Sequence, residues 1–115
     1  MPNSQNTIPA GAEYHRISPE EAYKRMSESS NFILLDVRTP EEFSERRIKG
    51  AILIPDYEIS ARAEKELPDR KKVIFVYCRS GARSGRAART LVSLGYTNVF
   101  DFGGINSWPF ETVGD

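Results

Sequence analysis

Val73-Ile74-Phe75-Val76-Tyr77-Cys78-Arg79-Ser80-Gly81-Ala82-Arg83-Ser84 reads as an apolar strand that runs into a short polar loop and then a helix. The run from Val73 to Tyr77 is β-branched or aromatic throughout and has the length of a strand buried on both faces. From Ser84 to Leu94 the period changes. Ala87, Ala88, Leu91, Val92 and Leu94 supply the packing face of a helix, and Gly95 is a natural terminator. A strand, a loop and a helix in that order form the unit from which parallel α/β sheets are built.

The same unit recurs on either side. Phe32-Ile33-Leu34-Leu35 leads into Asp36-Val37 as a second buried strand, and Ile52-Leu53-Ile54 is a third, stopped by Pro55. Val99 and Phe100 suggest a last strand, with Gly103-Gly104 as a tight turn. Ser18-Pro19-Glu20-Glu21 and Thr39-Pro40-Glu41-Glu42 each carry a capping residue, a proline at the first helical position and a glutamate three after the cap. Ser60 to Leu67 predicts another helix. Alternation of this kind argues an α/β domain with a mainly parallel sheet covered on both faces. Ligands of such sheets bind at the carboxyl ends of the strands, which is where Cys78 stands. Residues 1–12, rich in Asn, Ser, Gly and Pro, are expected to be a flexible tail, leaving one domain over 13–115.

Composition excludes several classes. With 115 residues, 39% of them hydrophobic, the chain is of ordinary size and make-up for one soluble domain. Lys+Arg and Asp+Glu are both 16, so net charge makes no case for nucleic-acid or membrane partners. No apolar run approaches the roughly 20 residues of a membrane span. The N-terminus lacks the apolar core of a signal peptide, so a cytoplasmic location is expected, and nothing demands more than a monomer. One cysteine forbids an intrachain disulfide, and one cysteine with one histidine excludes the common zinc spacings. No metal or cofactor is expected.

The charges are unevenly spread. Residues 70–100 hold seven basic residues and no acid, against nine basic and sixteen acidic elsewhere. Arg86 and Arg89 fit a solvated helix face or a dock for an acidic partner. Arg79 and Arg83 lie among Gly and Ser beside the thiol. Three effects converge there: the positive end of the following helix, the two guanidinium groups, and Gly81, which frees the backbone to turn its N–H groups inward as an anion nest. Each favours the thiolate, the nucleophilic form. The competing reading is an inert buried thiol, and the flanking Arg, Gly and Ser argue against it. His15 lies far away in sequence, and nothing in the spacing pairs it with Cys78.

These segments resemble a known family, the single-domain rhodaneses, which are sulfurtransferases. Cys78-Arg79-Ser80-Gly81-Ala82-Arg83-Ser84 is similar to the active-site loop. Ile17-Ser18-Pro19-Glu20-Glu21 is similar to the first helix, and Leu34 to Phe43 to the D-V-R-x-x-x-E-[FY] signature. Ile48 to Pro55 is similar to the strand after it, and Gly103-Gly104-Ile105-Asn106-Ser107-Trp108 to the terminal G-G-x-x-x-W. Arg46-Arg47 stands where Gly-His is common, and Leu53 where Asn is common. The resemblance implies one rhodanese-like domain with a mainly parallel five-stranded sheet.

The activity it implies is transfer of a sulfane sulfur, from thiosulfate or a persulfide donor to a thiol or cyanide acceptor, through a Cys78 persulfide. Substrate would be held by Arg79, Ser80, Gly81, Ala82, Arg83 and Ser84. Asp36 and Arg38 would support the loop, and Arg83 would either bind substrate or pin the loop to an acid such as Asp36. Trp108 and Phe110 would pack the core or the pocket rim. A sulfur-relay protein is an implied partner. The alternatives are a sulfur carrier, a regulatory binding module on the same fold, and a cysteine phosphatase or arsenate reductase. The phosphatase loop sets five residues between cysteine and arginine, whereas Cys78 and Arg83 are separated by four.

Overall fold

Every apolar run marked in the sequence becomes a strand. The computed structural model describes residues 13–115, so the expected tail over 1–12 lies outside it. The strands are β1 (His15–Arg16), β2 (Phe32–Asp36), β3 (Ile52–Leu53), β4 (Val73–Cys78) and β5 (Val99–Gly104). They form one sheet in the order β1-β5-β4-β2-β3, with every neighbouring pair parallel. The helices are α1 (Pro19–Ser27), α2 (Pro40–Glu45), α3 (Ile59–Glu66) and α4 (Ala82–Ser93). Ser18 caps α1 by accepting from Glu21 N. Thr39 and Glu42 close the expected capping box on α2.

Successive side chains of a strand face opposite ways, and the core divides accordingly. On one face Leu35, Ile74, Val76, Cys78 and Val99 pack with Ile59 and Ala63 of α3 and with Ala87, Ala88 and Leu91 of α4. On the other, Leu34, Phe75, Tyr77 and Phe102 pack with Ala22 of α1, Ile48 and Trp108. Trp108 is a core residue, and Phe110 packs against the same cluster. Both faces are covered, as expected for a parallel sheet.

Three features differ from the sequence reading. β1 was not foreseen, because two exposed residues carry no apolar signal; it forms on the open edge of β5, where Ile17 N donates to Asp101 O. α4 begins at Ala82 rather than Ser84, because Gly81 caps it in the left-handed region at φ +119°. Gly103-Gly104 is not a turn between elements but the end of β5. Val76 pairs with Asp101 while Cys78 pairs with Gly104, so Phe102 and Gly103 together oppose Tyr77. Gly103, at φ +92°, absorbs this bulge.

Candidate active site around Cys78

β4 delivers Cys78 to the carboxyl edge of the sheet, where the thiol is 1% exposed and rests on core residues. Arg79, Ser80 and Ala82 lie exposed next to it. Gly81 then turns the chain back, and its backbone N–H donates to Cys78 Sγ at 2.9 Å. The left-handed φ of Gly81 permits this return. α4 starts at the next residue, so its unpaired first-turn N–H groups and the positive end of its dipole lie beside the thiol.

The loop is seated on the bulged end of β5. Asn106 N donates to Arg79 O at 3.1 Å. Gly104 lies against the loop backbone so closely that a Cβ there would overlap Arg79 O and stand 2.6 Å from Ser80 Cα. Glycine at this position is a requirement of close approach.

The two arginines of the loop do different things. Arg79 is exposed and has no ion-pair partner among the described residues. Arg83 donates from both terminal nitrogens to Glu42 of α2, at 2.7 and 3.0 Å. The acid that pins the loop is therefore Glu42, and Asp36 is engaged elsewhere. Arg38 holds Asp36 with Nη2 at 2.6 Å and Nε at 3.0 Å, its backbone N donates to the same carboxylate, and Nη2 also reaches Arg46 O. Asp36 and Arg38 are both buried, and either one alone would be a stranded buried charge. Together they fix the end of β2, and the Arg38 guanidinium lies over the Tyr77 ring. Tyr77 Oη accepts from Ile48 N, and burial, then the neighbouring Asp36, push its hydroxyl pKa up. The departing Arg46 donates to Ile105 O, and Arg47 pairs with Asp115, so both tie the middle of the chain to its C-terminal segment.

The Arg83 hydrogen bond, joined by the Thr39 backbone, pulls the Glu42 carboxyl down to about 2 against the opposing effect of burial. A carboxyl depressed on folding stabilises fully above the ordinary carboxylate range, and this is lost as pH falls through that range toward its folded value. Glu42→Gln keeps an acceptor for the capping box and removes the charge. It should cost on the order of 1–3 kcal/mol at neutral pH. Thermal unfolding of the variant and the wild type should converge as pH falls from about 5 toward 2; parallel curves over that range would refute the assignment.

Ser84 is fully buried rather than at the mouth. Its hydroxyl lies 2.7 Å from Asp101 Oδ1 and 3.0 Å from Gly81 O. His15 sits exposed on β1, stacked on Phe100, and takes no part. Arg86 pairs with Asp56 on the surface. Sequence reasoning missed Glu42 as an anchor, Gly104 as a seat, and Asp101 altogether. Asp101 did leave a signal: it is the one carboxylate inside the last apolar run. Among the described residues there is no cluster of three or more His, Cys, Asp or Glu fit to hold a metal ion, and no helix long and apolar enough to cross a membrane. A groove of about 710 Å³ lined by Tyr23, Phe32, Leu34, Trp108 and Phe110 belongs to the other face of the sheet and includes no residue of the Cys78 loop.

Known proteins resemble this chain in sequence and fold. The profile of the rhodanese-like domain matches residues 18–110. The thiosulfate sulfurtransferase PspE of Escherichia coli is 39% identical over 79 residues, 69% of this chain and 76% of its own. A sulfurtransferase of Allochromatium vinosum is 36% identical over 95 residues, 82% and 87% of the two chains. The solved structure of a rhodanese with anions from E. coli superimposes with a TM-score of 0.67 at 35% identity, covering 72% of this chain and 98% of that one. Family profile, sequence and overall fold agree, and the chain belongs to the rhodanese-like domain family.

Proposed function

We propose that the protein is a sulfurtransferase that carries a sulfane sulfur on Cys78. The observation that supports this most directly is the Cys78 Sγ itself, set at the start of α4 and facing the Gly81 N–H at 2.9 Å. A thiolate there is stabilised by backbone dipoles and needs no adjoining histidine.

With thiosulfate as donor, the Cys78 thiolate attacks the outer sulfur. A new S–S bond forms, the old S–S bond breaks, and sulfite leaves with its electron pair. The enzyme now holds a persulfide with one negative charge, cradled by Gly81 N–H and the first-turn amides of α4. Arg79, exposed and free of an ion pair among the described residues, attracts the dianionic donor. In the second step cyanide or a thiolate attacks the outer sulfur and the Cys78 thiolate is released. The two half-reactions predict ping-pong kinetics. A protein persulfide would serve as donor in the same way, and a sulfur-relay partner is compatible with the exposed loop.

Phosphoryl chemistry is disfavoured by Arg83. A phosphate-binding arginine must face the anion, whereas both terminal nitrogens of Arg83 are given to Glu42.

The test is intact mass after incubation with thiosulfate. The protein should gain one sulfur atom, and cyanide should remove it. No gain from either thiosulfate or a small-molecule persulfide would sink the reading.

A further inference from the structure

We infer that Asp101 is a positioning residue for sulfur transfer, acting through Ser84 and Gly81 on the N–H that faces Cys78 Sγ; the inference rests on the sulfurtransferase reading above. Asp101 lies on β5, beside β4 but outside the thiol loop, and is 1% exposed. A carboxylate in that position is expensive to bury, and an apolar residue would suit the strand better.

Its contacts account for its presence. Asp101 Oδ1 accepts from Ser84 Oγ at 2.7 Å and from Gly103 N at 2.9 Å. It thus ties the first turn of α4 to the bulge of β5 that seats the loop. Ser84 Oγ also lies 3.0 Å from Gly81 O and 3.3 Å from Gly103 O, so one hydroxyl proton has three acceptors within reach. Gly81 is the residue whose N–H reaches the thiol sulfur. The path from carboxylate to sulfur is one of position: Asp101 Oδ1 takes the Ser84 proton, Ser84 holds the first turn of α4 beside Gly81, and Gly81 sets its N–H on Cys78 Sγ.

The second oxygen strengthens the argument. Asp101 Oδ2 is buried and has no hydrogen-bond partner among the described residues. Burying an oxygen costs stability. Tyr14 Oη and Arg89 Nη1 approach the same space above Gly85, which has no side chain to fill it. A residue chosen for packing alone would not leave an oxygen there. One chosen to hold Ser84 and Gly103 must bring both oxygens with it.

Ser84→Ala cuts the path with the loss of a single atom. Asp101→Asn weakens it, since a neutral amide oxygen still accepts at Oδ1. With thiosulfate and cyanide, Ser84→Ala should lower kcat about tenfold, in line with a small misplacement of a reacting group, and leave KM near its wild-type value. Asp101→Asn should lower kcat about threefold in the wild-type background and by a clearly smaller factor once Ser84 is alanine, when only its bond to Gly103 N is left. Full kcat in Ser84→Ala, or an equal factor for Asp101→Asn in both backgrounds, overturns the inference.

Alkylation of Cys78 by iodoacetamide at neutral pH, followed by intact mass, gives a readout that needs no sulfur donor. Both single variants should react more slowly than wild type, by about the same factors as in kcat. Faster alkylation in Asp101→Asn would mean that its charge, not its position, matters, and would overturn the inference. If these alkylation differences appear in a protein that takes no sulfur from any donor, the transfer reading fails and the positioning role stands.

Discussion

Cys78→Ser should abolish sulfur transfer and leave the fold standing. A serine hydroxyl is about the same size and keeps an acceptor for the Gly81 N–H, which otherwise meets Sγ at 2.9 Å. The site is buried but already polar on one side, so the stability cost should stay within about 1 kcal/mol. The chemical cost is of another order. The α4 dipole and loop amides can stabilise a thiolate, but a serine hydroxyl at neutral pH stays protonated, and no base adjoins it. Removing the nucleophile from other covalent enzymes costs on the order of 10⁴- to 10⁶-fold, about 5–8 kcal/mol of transition-state stabilisation. Cyanide-coupled turnover should fall to background, mass spectrometry should find no added sulfur, and circular dichroism and the melting temperature should barely change. Turnover in a well-folded Cys78→Ser protein would refute the assignment of the nucleophile.

The second large effect is expected some distance from the sulfur. Gly104→Ala places a methyl group against the loop backbone, 2.5 Å from the Arg79 carbonyl carbon and 2.6 Å from Ser80 Cα. These atoms are main chain and cannot swing aside as a side chain would. Ordinary carbon contacts need about 3.5 Å, so the loop must shift by about 1 Å. Overpacking of this kind costs about 1–3 kcal/mol. A displacement of that size at a reacting group costs about 10²-fold in rate. The loss should fall on kcat, because it is the Gly81 N–H and the α4 amides that leave their places around the sulfur. Gly103→Ala separates this from simple destabilisation. A Cβ at Gly103 meets nothing within 4 Å, but the residue sits at φ +92°, a strain of roughly 1–2 kcal/mol for an L-residue. The two variants should lose similar stability, and only Gly104→Ala should lose most of its activity. Equal activities would mean that the loop adapts and that the close approach is not needed.

Much of this was legible in the sequence. The apolar runs and capping residues placed four strands and all four helices, because each carries a local signal of its own. The thiol and its loop were legible for the same reason: strand, Cys78, glycine turn and helix are contiguous. What the sequence left hidden depends on contacts across the sheet. β1 exists only because β5 offers an edge. The Arg83–Glu42 pair joins residues from two helices, and Glu42 already had a sufficient local reason to be acidic in its capping box. Gly104 looked like half of a turn, and only the bulge against Tyr77 reveals it as the seat of the loop. Asp36 and Arg38 were visible as a motif, but their pairing with each other was not.

The strand order also bears on how the molecule comes into being. Among the described residues β5 comes after the other strands in sequence, yet it lies between β4 and β1 in the sheet. Synthesis delivers about 5–20 residues per second, so β2, β3 and β4 emerge well before their partner. Until then β4 carries an open edge beside Cys78, with neither Gly104 nor Asp101 in place. The β1–β5 pairing joins strands some 85 residues apart, a long-range contact of the kind that slows folding. The surroundings of Cys78 are therefore complete only once β5 has paired with β4, because Gly104 and Asp101 both lie on β5.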